Sequence, residues 1–449
     1  MQALLQDAAQ RGIRYLATVN ERNVPPLPAA VGALSEFDEA LPNAPTDPAQ
    51  VLAMLDEIGS PATVASAGGR YFGFVTGGSL PVAVAANWLA TSWDNNSGLT
   101  VMSPTVVKLE AVALDWLVDL FSLPAGTGGG FVTGATMANL SGLAAARHAL
   151  LARQGWDVET QGLFGAPPLT VVVGDEVHVS LLKALSLLGL GRERVVRVPV
   201  DRQGRMRPDA LPLLDAQTIL CVQAGNVNTG AIDPLDQLCA AAHAADAWVH
   251  VDGAFGLWAA VSPTHAHLTT GLAQADSWAT DAHKWLNVPY DSGLVFCRTP
   301  AALRAAMSTS AAYLQQGEAR EPYHYTPEMS RRARGVEIWA ALRALGREGL
   351  AELITRTCRH AQRFAEGLSA AGYTILNDVV LNQVLVSFGD EATTRRVIAA
   401  VQAEGTCWAG GTTWQGQAAM RISVSSWATT EADVEQSLAA IIRMAKRNL

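Results

Sequence analysis

The sequence predicts an α/β protein with a mostly parallel sheet in a large domain, a small α+β C-terminal domain and an N-terminal arm. Three observations carry this. Continuous apolar runs of strand length alternate with helical patterns from about residue 61 to 335. After Arg334 the pattern becomes one long amphipathic stretch followed by alternating strands. Prolines crowd the first fifty or so residues, where helix interiors cannot hold them. At 449 residues the chain also exceeds the size at which one core stops growing, so more than one domain is expected.

The expected segments are an arm and dimerisation segment at 1–65, a large ligand-binding domain at 66–336 and a small domain at 337–449. In the arm, Pro25, Pro26, Pro28, Pro42, Pro45 and Pro48 break short helical patterns. In the large domain the strand candidates are 169–173, 195–198, 218–222, 248–252 and 293–297. These runs are apolar throughout rather than alternating, which implies a sheet covered on both faces. Ligands of such sheets gather at the carboxyl ends of the strands. The small domain pairs the stretch 338–370 with strands at 384–388 and 421–425 and a terminal helix at 431–446, capped by Thr429 or Thr430.

Bulk properties narrow the function. Apolar residues reach 49% and charged residues 16%, as in a large, well-buried enzyme. A net charge of −9 without any Lys/Arg-rich run argues against nucleic acid and anionic membranes as partners. Five scattered cysteines without metal-ligand spacing fit a reducing cytoplasm and no metal site. No basic leader precedes an apolar core, and no apolar run has bilayer length, so a cytoplasmic location is expected.

Three features define a candidate site. The turn 128–136 (GGGFVTGAT) opens a helical pattern. Its glycines, Gly134 among them, permit close backbone approach, and a helix starting near Thr136 aims free amides at an anion. Taken alone, such a turn is more often only a turn. Asp252 ends the apolar run 247–251 and precedes the small residues Gly253 and Ala254. A carboxylate buried there needs a cationic partner; a strand-end aspartate equally caps the next turn. Lys284 follows His283 and a semi-apolar stretch, 276–282, where desolvation would favour imine chemistry over the usual surface role. In that order, an anion cradle, an acid and a strand-end lysine fit pyridoxal 5'-phosphate. The lysine bonds to the aldehyde, the acid keeps the ring nitrogen protonated, and the turn holds the phosphate. His178, just after a strand, either stacks on a planar cofactor or caps the following helix. His283 and Asp281 either reach the phosphate or satisfy local backbone.

Taken together, the segments FVTGATMANL (131–140), DEVH (175–178), GNVNTGAID (225–233), HVDGA (250–254) and HKW (283–285) resemble the group II pyridoxal phosphate-dependent amino acid decarboxylases. That family includes aromatic amino acid, glutamate, histidine and tyrosine decarboxylases. The resemblance runs from about Gly69 to the last helix. It implies an aminotransferase-type fold (fold type I), an amino acid substrate and an obligate homodimer with shared active sites. It assigns Lys284 to the covalent link and Asp252 to the pyridine nitrogen. His178 is placed over the ring and Ala254 behind it, with Gly134, Ala135, Thr136, Asp281 and His283 around the phosphate. It also implies a catalytic loop, here 313–334 and ending in Arg331-Arg332, whose tyrosine delivers a proton. Tyr323 and Tyr325 fall near the needed position, with Tyr325 preferred.

Two departures stand out. Asp281 occupies a position that is often asparagine in the animal aromatic enzymes, and an aspartate beside a phosphate needs a donor between them or another role. Val227 replaces a frequent threonine, which leaves Asn226, Asn228 and Thr229 as local polar candidates. Because the cofactor machinery is shared, decarboxylation competes with a carbon–carbon lyase on a β-hydroxy amino acid or sphingoid-type substrate, with an aminotransferase, and with a non-catalytic member. Arg421 is the candidate carboxylate clamp of an aminotransferase, or an ion-pair partner in the small domain. Tyr71, Phe72, Phe74, Trp88, Trp93 and Tyr313 point to an aromatic substrate or to ordinary packing.

Overall fold

The computed structural model describes residues 1–309 and 320–448. They form two compact units. One comprises Ser79–Arg359 with Asn377–Gln383; the other comprises Met1–Gly78, His360–Leu376 and Val384–Leu449.

The larger unit is built on a seven-stranded sheet of β1 (Gly128–Val132), β2 (Thr170–Gly174), β3 (Val196–Val198), β4 (Thr218–Gln223), β5 (Trp248–Asp252), β6 (Ser277–Asp281) and β7 (Gly293–Cys297), in the order β1-β7-β6-β5-β4-β2-β3. All neighbours run parallel except β7, which is antiparallel to both β1 and β6. The expected mostly parallel sheet is therefore present. Every residue of β5, β6 and β7 is buried, which is why these strands read as unbroken apolar runs rather than alternating ones.

Small residues set the spacing between the sheet and the helix Ala135–Ala152, whose buried face includes Ala138, Gly142, Ala145 and Ala146. A Cβ on Gly142 would lie 2.7 Å from His250 Cε1, so glycine makes the room that the β5 imidazole occupies. His250 is then fully satisfied, with Nε2 2.9 Å from Asn139 Oδ1 and Nδ1 2.8 Å from Ser277 Oγ. Burial pushes its pKa down to about 3, so the ring is neutral.

The other unit carries a four-stranded sheet in the order β10-β11-β9-β8, with β8 (Thr374–Ile375), β9 (Gln383–Ser387), β10 (Gly410–Trp414) and β11 (Gln417–Ser423). The terminal helix Glu431–Asn448 starts with a capping box: Asp433 N donates to Thr430 Oγ1 and Thr430 N donates to Asp433 Oδ2. Thr430 is thus the cap, and Thr429 donates to Gly69 O instead. The units divide at 78/79 and 359/360, whereas the sequence-based segments divide at 65/66 and 336/337. Residues 70–72 fold with the C-terminal segments because they add backbone pairs there, Phe72 N to Trp408 O and Ser423 N to Phe72 O. Phe72 packs edge-on against Phe364, and Tyr71 and Phe74 stack on Trp408. Arg421 lies on β11. The long helix Gly335–Ala370 is broken at Gly346, whose φ of 60° leaves the helical region.

Candidate active site

Strand register brings the candidate residues to one edge of the larger sheet. At the carboxyl end of β1, Val132 pairs with Gly293, which pairs in turn with Asp281 at the carboxyl end of β6. On the other side of β6, Ala279 pairs with Asp252, the last residue of β5. The glycine-rich turn, Asp281, Lys284 and Asp252 therefore share that edge although they are far apart in sequence. Gly293 is required by this arrangement, since a Cβ there would lie 2.4 Å from the Cα of Gly134.

At the end of β6 the chain makes one helical turn, Ala282–Trp285, which carries His283 and Lys284. The Lys284 ammonium lies 3.1 Å from Asp281 Oδ2, and Asp281 Oδ1 accepts from Ala135 N at 2.6 Å. His283 Nε2 stands 3.5 Å from the same Oδ1, while its Nδ1 accepts from Ser292 N at 3.1 Å. Burial holds the His283 imidazole below its ordinary range, against the opposing pull of Asp281. Ser292 fixes the tautomer: an Nδ1 that accepts leaves the proton on Nε2.

Asp252 is buried, and its Oδ1 accepts from Ala254 N at 3.3 Å. Among the described residues no side-chain cation pairs with it. It shares the lining of a small cavity with Glu176, Cys221 and Gln223, at the ends of β2 and β4. Burial, then the charge of Asp252, pushes the Cys221 thiol up, so that sulfur is no nucleophile.

His178 caps the helix Val179–Leu187, accepting from Ser180 N at 3.3 Å, with Ser180 Oγ at 2.7 Å from the same Nδ1. The capping role weighed for it is real, and it leaves Nε2 as the protonated nitrogen. Asn226 Oδ1 accepts from Asn228 N and Thr229 N, so this asparagine shapes a turn. Thr229 Oγ1 is committed to Gln203 O at 2.6 Å. Tyr323 is only 3% exposed. Tyr325 keeps partial exposure, with its ring 4.6 Å under the Arg320 guanidinium carbon. Tyr313 lies outside the described residues.

Two contributors escaped the sequence reading. Tyr290, 61% exposed, places its ring 4.2 Å from that of His283. Asp291 receives Arg334 Nε at 2.8 Å, which ties the turn after Lys284 to the segment carrying Arg331 and Arg332. The available signal was an aromatic residue and an acid only six and seven places beyond the lysine.

The geometry fits pyridoxal 5'-phosphate. A Cβ on Gly134 would meet His283 Cε1 at 3.3 Å and Asp281 Oδ1 at 3.4 Å, so glycine is what lets these two side chains close on the turn. Asp252 is a buried carboxylate at the same end of the sheet, and Lys284 retains access to solvent at 20% of its side chain. Lys284, Asp252 and the turn thus fit that cofactor, at one end of a mostly parallel sheet of the expected α/β class.

The comparisons narrow the class. The pyridoxal-dependent decarboxylase conserved domain matches residues 32–389, and the chain belongs to that family. It is 31% identical over 320 residues to the aromatic-L-amino-acid decarboxylase of Drosophila lebanonensis, covering 65% of this chain and 77% of that one. It is 28% identical over 323 residues to tryptophan decarboxylase 1 of Oryza sativa subsp. japonica, covering 66% of this chain but only 62% of the rice protein's length. A phenylacetaldehyde synthase of a Rosa hybrid cultivar is 28% identical over 350 residues, covering 73% and 67%. Among solved structures, Oryza sativa TDC with PLP and tryptamine superposes with a TM-score of 0.91 at 22% identity, covering 99% and 97% of the two chains, and it shares the fold.

Proposed function

We propose that the chain decarboxylates an aromatic L-amino acid to its amine and carbon dioxide. The observation that carries this is the single sheet edge holding Lys284, Asp252 and the Gly134–Ala135 turn, in a chain of the pyridoxal-dependent decarboxylase family. The aromatic preference rests on the names of the relatives and on the exposed Tyr290 ring beside His283.

Pyridoxal 5'-phosphate supplies an aldehyde for the substrate amine and a cationic ring that withdraws electrons from the reacting carbon. Lys284 would hold that group through its side-chain amine and release it to the amine of the substrate. Asp252 would keep the ring nitrogen protonated, because its buried carboxylate, which pairs with no side-chain cation among the described residues, favours the charged partner. Gly134, Ala135 and Thr136 present the helix end to the phosphate, assisted by His283; Ala254 and Asn228 complete the surroundings. His178 supplies an imidazole fixed by its capping bond. After carbon dioxide leaves, Tyr325 delivers a proton to the reacting carbon, with Tyr323 the second candidate. The partial exposure of Tyr325 and the burial of Tyr323 support that order.

We also assign the chain to a cytoplasmic homodimer with shared active sites. What supports the dimer is an unburied apolar row on the helix Gln2–Thr18, where Leu5 is 60% and Ile13 58% exposed. Among the described residues no helix is long and apolar enough to cross a membrane.

The test is product analysis. Cofactor-loaded protein is incubated with each aromatic amino acid, and carbon dioxide and amine are measured together. Equal amounts are expected. A keto acid product, or no carbon dioxide from any amino acid, would sink the proposal.

A further inference from the structure

We propose that the Asp281 carboxylate is a resident substitute for the cofactor phosphate, and that it weakens the hold of the chain on its phosphorylated cofactor. This rests on the reading that Lys284, Asp252 and the turn 134–136 hold pyridoxal 5'-phosphate.

Three contacts define the role. Asp281 Oδ1 receives the Ala135 amide at 2.6 Å, at the N-terminus of an 18-residue helix. Its Oδ2 lies 3.1 Å from Lys284 Nζ, and His283 Nε2 is 3.5 Å from Oδ1. Its side chain is 4% exposed, so water does little to screen the charge. One buried anion thus occupies the helix-end amide that favours a phosphate, and also pairs with the amine that must bond to the cofactor aldehyde.

Loading the cofactor withdraws both partners. Lys284 would give up a proton to solvent and leave Asp281, its amine condensing with the aldehyde carbon as the aldehyde oxygen departs as water, and the phosphate would compete for the helix end. The carboxylate is then a like charge beside a dianion, which opposes the phosphate and leaves the rest of the cofactor untouched. Asparagine at this position keeps an oxygen for the Ala135 amide and removes the charge.

Pyridoxal and pyridoxal 5'-phosphate offer Lys284 the same aldehyde and differ only in the phosphate. Dissociation constants of both are measured by absorbance titration on cofactor-free wild-type protein, Asp281→Asn and Asp281→Ala. The Asn variant is expected to bind pyridoxal 5'-phosphate about 10- to 100-fold more tightly, with pyridoxal changed by less than about threefold. Asp281→Ala removes the charge by another route, so a rise in its preference for the phosphorylated form supports the role even where the Asn variant folds poorly. An unchanged or weakened preference in both variants overturns the proposal while the site assignment stands. If wild-type protein forms no adduct that Lys284→Ala abolishes, the site assignment falls and this proposal falls with it.

Discussion

Gly293 on β7 and Gly134 after β1 touch backbone to backbone: a Cβ on Gly293 would lie 2.4 Å from the Cα and 2.5 Å from the carbonyl carbon of Gly134. Neither atom can swing aside as a side chain could. Gly293→Ala is therefore expected to destabilise the protein by about 1–3 kcal/mol and to push the Ala135 amide away from Asp281. Urea unfolding of the cofactor-free variant and titration with pyridoxal 5'-phosphate check both effects. Wild-type affinity in the variant would show that the cradle does not depend on this contact.

Lys284 is expected to be the sole attachment point of the cofactor. Borohydride reduction followed by peptide mapping should place the adduct at 284, and Lys284→Ala should abolish both the adduct and the activity. An adduct at any other lysine contradicts the assignment.

Tyr325→Phe removes the hydroxyl proposed to protonate the reacting carbon. Loss of a general acid lowers the rate by about 10²–10⁴-fold, and the longer-lived carbanion becomes open to oxygen. Amine yield should fall and aldehyde with oxygen consumption should rise, a product class echoed by the related phenylacetaldehyde synthase. Unchanged amine yield would transfer the role to Tyr323.

The neutral His250 makes stability depend on pH. Its pKa is about 3 in the folded chain against an ordinary 6.5, so below pH 6.5 the unfolded chain binds a proton that the folded chain refuses. The folded state keeps its full advantage above pH 6.5 and loses about 1.4 kcal/mol per pH unit as the pH falls toward 3. Between pH 6.5 and 5 this amounts to about 2 kcal/mol. Urea midpoints of wild type and His250→Gln across that range test it. Equal slopes would mean that His250 is not the responsible group.

Glu110 and Arg331 form an ion pair with both side chains at 0% exposure. Glu110→Gln leaves the guanidinium buried without its counter-charge and is expected to cost about 3–5 kcal/mol. The double replacement Glu110→Gln with Arg331→Met should recover much of that loss. A double variant as unstable as the sum of the two singles would show that the pair does not act as a unit.

The sheet, Asp252, Lys284 and the turn 134–136 were legible because each leaves a local mark: an unbroken apolar run, a strand-end acid or lysine, a cluster of glycines. The bond between Asp281 and Ala135 leaves none. It joins residues 146 apart, and it exists only because β7 runs antiparallel between β1 and β6. His178 shows the opposite case. The sequence supports two roles for it, and only the bonds to Ser180 reveal that capping is one it performs. Tyr290 escaped notice because an exposed aromatic residue in a turn has no periodicity to betray it. The division near residue 78 was equally hidden, since the backbone pairs of Phe72 with Trp408 and Ser423 span most of the chain.

Where the helix Ala135–Ala152 crosses His250 it offers only Gly142, with no side chain there to act as a cushion, while Leu143 and Leu150 are buried further along it. It behaves as a stiff rod on a hard bearing. Enlarging the bearing at Gly142 would tilt the rod and shift its far tip at Ala135. A change buried between helix and sheet is thus expected to move the Ala135 amide that meets Asp281.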